Sequence, residues 1–195
     1  MSKRQKLIPA LLIFLFLSGV ALVVTSRAGY ETASYEVVKK DGSFEIRNYK
    51  SHVVVSTPMT GGEQNQSFGR LFKYISGGNE AEQKIKMTTP VFMPATGEGQ
   101  TGEMQFVVPA DVASSGAPSP SDPSVKLSKM SGGKFAVLKY SGRNGLEDRR
   151  KKLAELRTIL AAQGLAPVGN PVYAGYDPPW TPGPVRRNEV LLRLP

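Results

Sequence analysis

Few side chains in this sequence can act as nucleophiles, metal ligands or general bases. The chain contains no cysteine, which excludes thiolate nucleophiles, disulfides, iron–sulfur clusters and cysteine-ligated zinc. His52 is the single histidine, too few for a zinc site built from two or three imidazoles. A serine–histidine–aspartate relay would have to use that same residue. We therefore predict no metal site and no catalytic residue.

The net charge of +9 is unevenly distributed along the chain. Four basic residues, Lys3, Arg4, Lys6 and Arg27, flank one apolar run near the N-terminus. Residues 29–195 hold the other 21 basic residues and all 16 acidic ones, since 25 − 4 = 21 and residues 1–28 contain no acid, which leaves a charge of about +5. This moderate charge forms no dense basic stripe, so we predict no nucleic-acid partner.

The N-terminal segment has the pattern of a membrane signal-anchor or a secretory signal peptide. Residues 7–24 contain 18 consecutive uncharged residues, about 27 Å of helix, which is near the lower limit for crossing a bilayer. The basic cluster before them should stay in the cytoplasm. Ser26 and Ala28 provide the small residues of a cleavage site, so both fates stay open. We expect residues 1–28 to contact the membrane, with residues 29–195 anchored outside the cytoplasm or exported.

Two stretches have helical periodicity, and most of the remaining chain has the composition of strands. Phe68, Leu71, Phe72 and Ile75 have helical spacing, which predicts a helix over about residues 63–76. A second helix is predicted over residues 146–163, with Gly164 as its cap and its basic residues in solvent. Residues 109–123 have the composition of a surface loop. The predicted strands are residues 34–40, 43–59, 84–94, 104–109, 125–130, 134–140, 172–176 and 189–194.

The order of these elements repeats, because each half of the domain has a hairpin, one helix and then two strands. The segments that close the halves are also alike: PVFMP precedes MQFVVP in the first, and PVYAGYDPP precedes EVLLRLP in the second. We interpret this as a weak internal duplication. Strand-rich halves with one helix each predict an α+β fold, with helices packed on an antiparallel sheet or barrel.

Prolines crowd the connection between the last two predicted strands. Pro178, Pro179 and Pro182 cannot donate to a strand ladder, so the connection should be a rigid loop. Such a loop would hold Arg186 and Arg187 in fixed positions, and Glu189 could pair with one of them. A purely structural role for this loop is an open alternative.

Several segments, taken in order, resemble the SOUL haem-binding protein family. They are YEVV (35–38), FEIRNY (44–49), FGRLFKYISGGNE (68–80), KIKMTTPV (84–91), SPSDPSVKL (119–127), FAVLKYSG (135–142), AGYDPP (174–179) and RRNEV (186–190). The resemblance covers residues 35–194. It implies duplicated βαββ units forming a distorted antiparallel β-barrel with two helices, and a non-catalytic cofactor site for haem or a related tetrapyrrole. The N-terminal segment departs from the family pattern.

The resemblance also directs attention to the haem ligand. Some family members have a proposed axial histidine where this chain has Asn48. His52 would share a face with Asn48 if one regular strand contained both, and Met87 is another conceivable ligand. Haem can also be bound without an axial ligand, through apolar contacts and cations. The resemblance implies that the first helix lines an apolar cleft of this kind. There Phe68, Leu71 and Phe72 would contact the ring, while Arg70 or Lys73 would bind propionates.

Two other functions compete with a membrane-tethered or exported haem binder that buffers or transports its ligand. The chain could be an interaction module with a vestigial pocket, which the replacement of histidine by Asn48 favours. It could also be a small-molecule enzyme using Glu45, Glu63 or Glu80 as a base, although no second group pairs with any of them at catalytic spacing.

Overall fold

The computed structural model describes residues 29–59, 64–97, 100–178 and 180–195 of the chain. The predicted N-terminal segment, residues 1–28, lies outside the described residues, as does Glu63. Within the described ranges, no helix combines the length and apolar character that crossing a membrane requires.

The described residues form the predicted α+β fold, in which antiparallel strands dominate. The strands in chain order are β1 (Glu31–Thr32), β2 (Tyr35–Asp41), β3 (Phe44–Tyr49), β4 (His52–Pro58), β5 (Thr88–Thr89), β6 (Val91–Pro94), β7 (Glu103–Val107), β8 (Lys126–Met130), β9 (Gly133–Tyr140), β10 (Val168–Gly175) and β11 (Asn188–Arg193). The helices are α1 (Gln64–Ile75), α2 (Ala110–Ser115) and α3 (Leu146–Ala162), and one 3-10 turn covers Gly183–Val185.

One large sheet reveals the duplication. Its nine strands follow the order β2-β3-β9-β11-β10-β6-β7-β4-β8, while β1 and β5 form a separate parallel pair. The unit β4-α1-β6-β7 matches the unit β9-α3-β10-β11, because in each the third strand lies between the first and the second. Antiparallel pairing of β6 with β10 joins the two units. The duplicated βαββ arrangement is therefore present in the topology.

Two details differ from the expected barrel with two helices. β2 and β8 lie at opposite edges of the large sheet, so the described strands do not close into a barrel. A third helix, α2, lies within residues 109–123, which were predicted to be a surface loop. Val112 in α2 is buried against the core, and burial of this kind stabilises a short helix that its local composition does not predict.

The sheet is strongly curled. Tyr49 in β3 and Phe92 in β6 have ring centroids 6.2 Å apart, although three other strands separate β3 from β6 in the sheet order. Four strand spacings in a flat sheet would amount to about 19 Å. One face is therefore concave, and it encloses a small core of its own.

Side chains alternate between a helix-side core and this concave core. Both α1 and α3 pack on the helix side, where Leu71, Leu153, Leu156 and Leu160 are buried among strand residues. The concave core includes Tyr49, Val54, Phe92, Val107, Phe135, Val137, Ala174, Tyr176 and Leu191. Because successive residues of a strand point to opposite faces, strands such as β4, β6, β9 and β11 contribute to both cores.

Helix α1 follows the predicted periodicity and ends at a specific cap. Its apolar residues share one face, which places Leu71 and Tyr74 inside the protein, where both side chains are at most 1% exposed. After Ile75 the chain turns back, with the Gly78 amide donating to the Lys73 carbonyl at 2.9 Å. The Asn79 side-chain amide donates to the Tyr74 carbonyl at 3.0 Å, which satisfies another carbonyl of the last turn. A Cβ at Gly78 would lie 2.8 Å from the Lys73 carbonyl oxygen, so glycine is required there.

Candidate functional site

A cleft of about 260 Å³ opens between the first turns of α1, strands β6 and β7, and the two loops that precede α3 and β11. Its apolar side consists of Phe68, Val91, Met93 and Met104. Its polar side consists of Gln64, Asn65, Arg143, Asn144, Asp177, Arg186 and Asn188. The cleft therefore combines an apolar wall with cations, the two features that a flat apolar molecule bearing carboxylates requires.

A pair of aromatic rings extends the apolar wall toward solvent. Phe68 is half-buried and meets the buried Phe106 edge-on, with ring centroids 5.2 Å apart. On its other side Phe68 stacks with Phe72 at 6.0 Å and an interplanar angle of 15°. Phe72 is 50% exposed, which is unusual for a large apolar side chain. The two rings thus form a continuous apolar surface from the core to the outside.

The proline-rich loop holds the cations of the opposite wall. Arg186 donates from Nε to the Thr181 carbonyl at 2.6 Å, and Thr181 is buried within the loop. The loop before α3 is tied to the same structure, because the Gly142 amide donates to the Gly183 carbonyl at 3.0 Å. Arg143, exposed in that loop, therefore lies on the same side of the cleft as Arg186. The prediction that the prolines position Arg186 gains a structural basis in these bonds.

Among the residues predicted from the helix, Phe68 lines the cleft and the others lie elsewhere. Arg70 donates to Thr57 Oγ1 at 3.0 Å, to the Pro58 carbonyl at 2.9 Å and to Ser67 Oγ at 3.1 Å, so it ties α1 to β4. Leu71 is fully buried in the helix-side core.

Two further predicted residues also lie outside the cleft lining. Lys73 is exposed on α1. Met87 is half-buried and packs against the helix-side core.

The predicted strand over residues 43–59 is two strands, which changes the position of His52. β3 ends at Tyr49 and β4 begins at His52, so residues 50–51 turn the chain. β3 pairs with β2 and β9, whereas β4 pairs with β7 and β8, and the expected shared face of Asn48 and His52 does not exist. His52 Nε2 lies 3.2 Å from the Ser34 carbonyl oxygen. Burial lowers the pKa of His52 despite this hydrogen bond.

A network of buried charged residues lies on the concave face, apart from the cleft. Arg47, fully buried, donates to both carboxylate oxygens of Glu189, at 2.7 and 2.9 Å, and to Glu45 at 2.8 Å. Arg187 also donates to Glu189, at 2.7 and 3.1 Å, which confirms the predicted pairing of Glu189 with one of the two adjacent arginines. Tyr176 donates to the same carboxylate at 3.0 Å.

The charge network keeps its acids ionised. Burial disfavours the charged form of Glu189, but hydrogen bonds and charge from Arg47 and Arg187 outweigh it and lower the pKa. Burial of Glu45 is likewise outweighed by Lys139 and Arg47, so its pKa is also lowered. Glu45 is thus committed to ion pairs and is unsuited to the general-base role considered for it.

Arg149 on α3 is a buried cation that the charge pattern did not predict. Its Nη2 lies 3.5 Å from the sulfur of Met93, and its guanidinium carbon lies 5.2 Å from the ring centroid of Tyr173. Burial lowers its pKa, although Tyr140 and Tyr173 partly oppose the shift. The cation therefore lies behind Met93, which forms part of the cleft.

The comparison with family models assigns this chain. The model described as SOUL heme-binding protein matches residues 30–193. The chain belongs to the SOUL heme-binding protein family. Its motif residues divide between two sites: Tyr176 and Glu189 enter the charge network, while Asp177 and Asn188 line the cleft.

Individual proteins support the same assignment. Heme-binding protein 1 of Sus scrofa is 30% identical over 165 residues, covering 79% of this chain and 85% of that protein. Heme-binding protein 2 of Homo sapiens is 30% identical over 148 residues, covering 71% and 72%. Among solved structures, a hydrolase from Listeria innocua is similar with a TM-score of 0.58 over 81% of this chain and 94% of that one. At 10% identity this last likeness concerns the fold alone.

Sequence reasoning missed Arg143, the second cation of the cleft. Its signal was the segment SGRNG, a glycine-flanked loop between a strand and a helix. Nothing local distinguishes that arginine from other loop arginines. Only the contact with the proline-rich loop places it opposite Phe68.

Proposed function

We propose that the cleft binds haem or a related tetrapyrrole as a non-catalytic ligand, for buffering or transport. The family assignment supports this, because relatives at about 30% identity are named heme-binding proteins. The observation that carries the proposal is that Phe68, which stacks on the 50% exposed Phe72, lines the same cleft as Arg143 and Arg186. A haem has the matching shape, an apolar disc with two propionates on one edge.

The dimensions of the cleft define how such a ligand would sit. At about 260 Å³ the cleft is smaller than the roughly 300–1,000 Å³ of pockets that enclose drug-sized ligands. A tetrapyrrole would therefore enter by one edge, with its propionates toward the two arginines. Its exposed face would rest on Phe72, which is half in solvent. Such partial burial suits a protein that releases its ligand to a partner.

The proposed binding does not use an imidazole–iron bond. His52 is not among the residues that line the cleft, and its Nε2 lies 3.2 Å from the Ser34 carbonyl oxygen. Met93 and Met104 line the cleft, but the Met93 sulfur already has Arg149 Nη2 at 3.5 Å. Apolar contact and charge-assisted hydrogen bonds then supply the affinity.

The test is a titration of the purified full-length chain with ferric haem, read in the Soret band against a buffer-and-detergent blank. We expect saturation at one haem per chain. Arg186→Ala should weaken binding about tenfold, and Arg143→Ala about fivefold because that side chain is more exposed. Lys151→Ala removes an exposed positive charge from α3 outside the cleft and serves as the matched control.

A second signal comes from Trp180, the single tryptophan, which lies in the proline-rich loop and is 82% exposed. Haem bound beside Arg186 should quench its fluorescence with the same dissociation constant as the Soret titration. Unsaturable binding, or equal affinity for Arg186→Ala and Lys151→Ala, would refute the proposed site. The first result would favour the interaction module with a vestigial pocket.

We also propose that residues 1–28 tether the protein to a membrane or direct its export, with the domain outside the cytoplasm. The 18 uncharged residues after a basic cluster support this. The mass of the mature chain separates the two fates, because cleavage after Ala28 removes the segment and a retained anchor does not. A full-length chain that is extracted from membranes by alkaline carbonate would contradict both.

A further inference from the structure

A second pocket, separate from the cleft, opens on the concave face of the sheet. We call it the concave pocket; its volume is about 290 Å³. Its floor includes Tyr49, Phe92 and Leu191, each at most 3% exposed, and its rim includes Asn170 and Arg193. Phe92 and Met93 are consecutive residues of β6, so the concave pocket and the cleft lie on opposite faces of the same strand.

The rim of the concave pocket is built by an irregular strand. Pairing of β10 with β11 shifts register between Val168 and Val172, and Gly169 has a φ of +73°. A bulge of this kind interrupts the ladder and turns the strand away. On the other side, Arg193 donates to the carbonyls of Ser131 and Gly132, both at 2.9 Å, which holds the connection between β8 and β9 in place. The sequence pattern predicted a hairpin there, but β8 pairs with β4 whereas β9 pairs with β3 and β11.

One polar group in this apolar floor lacks a partner. Gln105 lines the concave pocket and is only 8% exposed. Its Oε1 has no hydrogen-bond partner among residues 29–59, 64–97, 100–178 and 180–195. By contrast, the hydroxyl of Tyr49 accepts a hydrogen bond from Arg47 at 2.8 Å. A buried carbonyl oxygen without a donor is costly, unless a ligand supplies one.

The orientation of the Gln105 amide is determined by its neighbour. Its Nε2 donates to Glu103 Oε1 at 2.5 Å. Rotating the amide would bring its oxygen against a carboxylate, which only accepts hydrogen bonds. The oxygen is therefore the amide atom that lacks a donor among the described residues.

We propose that the concave pocket binds a planar aromatic molecule of one or two rings that donates an N–H or O–H hydrogen bond to Gln105 Oε1. A cavity of about 150 Å³ holds one benzene ring, so about 290 Å³ corresponds to a bicyclic molecule. Aromatic walls from Phe92 and Phe135 suit a flat ligand, and pockets at the mouths of curled sheets commonly take one.

Indole and benzofuran are the probes, since they differ chiefly by an N–H in one and an oxygen in the other. Each is titrated into the ¹⁵N-labelled full-length chain and followed by amide chemical shifts. We expect saturable shifts at Ser131, Gly169 and Asn170, with an indole dissociation constant on the order of 1 mM. Benzofuran should bind at least about fivefold more weakly, because its oxygen faces the carbonyl of Gln105.

Variants in the concave pocket and in the cleft distinguish this proposal from haem binding. Gln105→Leu should bind the two probes equally, and Phe68→Ala should leave indole binding unchanged. Saturating indole should not alter the haem titration. Equal affinity of the native chain for both probes, or shifts restricted to the cleft, would overturn the proposal whether or not haem binds. A Gln105→Leu chain that keeps the preference for indole would overturn it as well.

Discussion

Glu189 is the residue whose replacement tests the charge network most directly. Its carboxylate is fully buried and accepts hydrogen bonds from Arg47, Arg187 and Tyr176. Glu189→Gln preserves the size of the side chain but removes its charge. Arg47, itself 0% exposed, would keep Glu45, at 2.8 Å, as its one acidic partner within the described residues.

The expected loss in the free energy of unfolding follows from the burial of these charges. Removing one member of a buried ion pair costs about 3–5 kcal/mol, because the remaining charge is left without compensation in a low-dielectric interior. Glutamine would also turn an N–H₂ group toward one of the two guanidinium groups. Since domains unfold with about 5–15 kcal/mol, this loss would be a large part of the total.

Urea unfolding of the full-length chain at pH 7, followed by far-ultraviolet circular dichroism, measures the effect. Lys152→Ala is the matched control, because it breaks the Lys152–Glu155 pair, whose side chains are 29% and 43% exposed. That variant should lose less than about 0.5 kcal/mol. A Glu189→Gln loss of the same size as the control would refute the reasoning, because the network would then contribute no more than a surface pair. In the Glu189→Gln background, Arg47→Met should cost less than it does alone.

The charge network also predicts how the free energy of unfolding decreases at acidic pH. The pKa values of Glu189 and Glu45 are lowered from 4.5 in the folded protein, so the unfolded chain binds protons first as the pH falls. Their stabilisation is complete above about pH 5 and is lost progressively as the pH falls through the folded values. Glu189→Gln should flatten this decrease, and an unchanged slope below pH 4.5 would contradict the assignment.

Three further predictions concern α1, the connection between β8 and β9, and the histidine. Leu71→Ala should lower the free energy of unfolding by about 2–5 kcal/mol, whereas Phe72→Ala should lower it by under about 1 kcal/mol and weaken haem binding instead; urea unfolding and the Soret titration measure the two effects. Gly132→Ala should destabilise by more than about 1 kcal/mol in the same unfolding assay, because its Cβ would lie 2.5 Å from the Tyr49 carbonyl oxygen, and a neutral result would contradict that contact. His52→Ala should leave the Soret spectrum of the haem complex unchanged, and a lost or shifted band would establish axial ligation by this residue.

Much of the fold could be predicted because its signals are local. The spacing of Phe68, Leu71, Phe72 and Ile75 predicted α1 within one residue at each end. The glycine turns predicted most strand boundaries, and the repeated order of elements predicted the duplicated unit. Helical and strand periodicities, of 3.6 and 2 residues, and the residue preferences of turns extend over only a few positions. A single sequence is therefore enough to recognise them. The break between Tyr49 and His52 escaped because neither residue 50 nor 51 is a glycine or proline.

Local sequence patterns specify the list of elements, composition excludes thiol and multi-histidine chemistry, and one motif marks the family. The tertiary structure alone decided which distant residues meet. Arg47 and Glu189 are 142 positions apart, and Arg143 lies across the cleft from Phe68. Strand order and the curl of the sheet produce these contacts, because they depend on pairing and burial summed over the whole chain. The same folding left Gln105 lining the concave pocket with no hydrogen-bond donor for its Oε1 in the described part of the chain, which no local sequence pattern predicts.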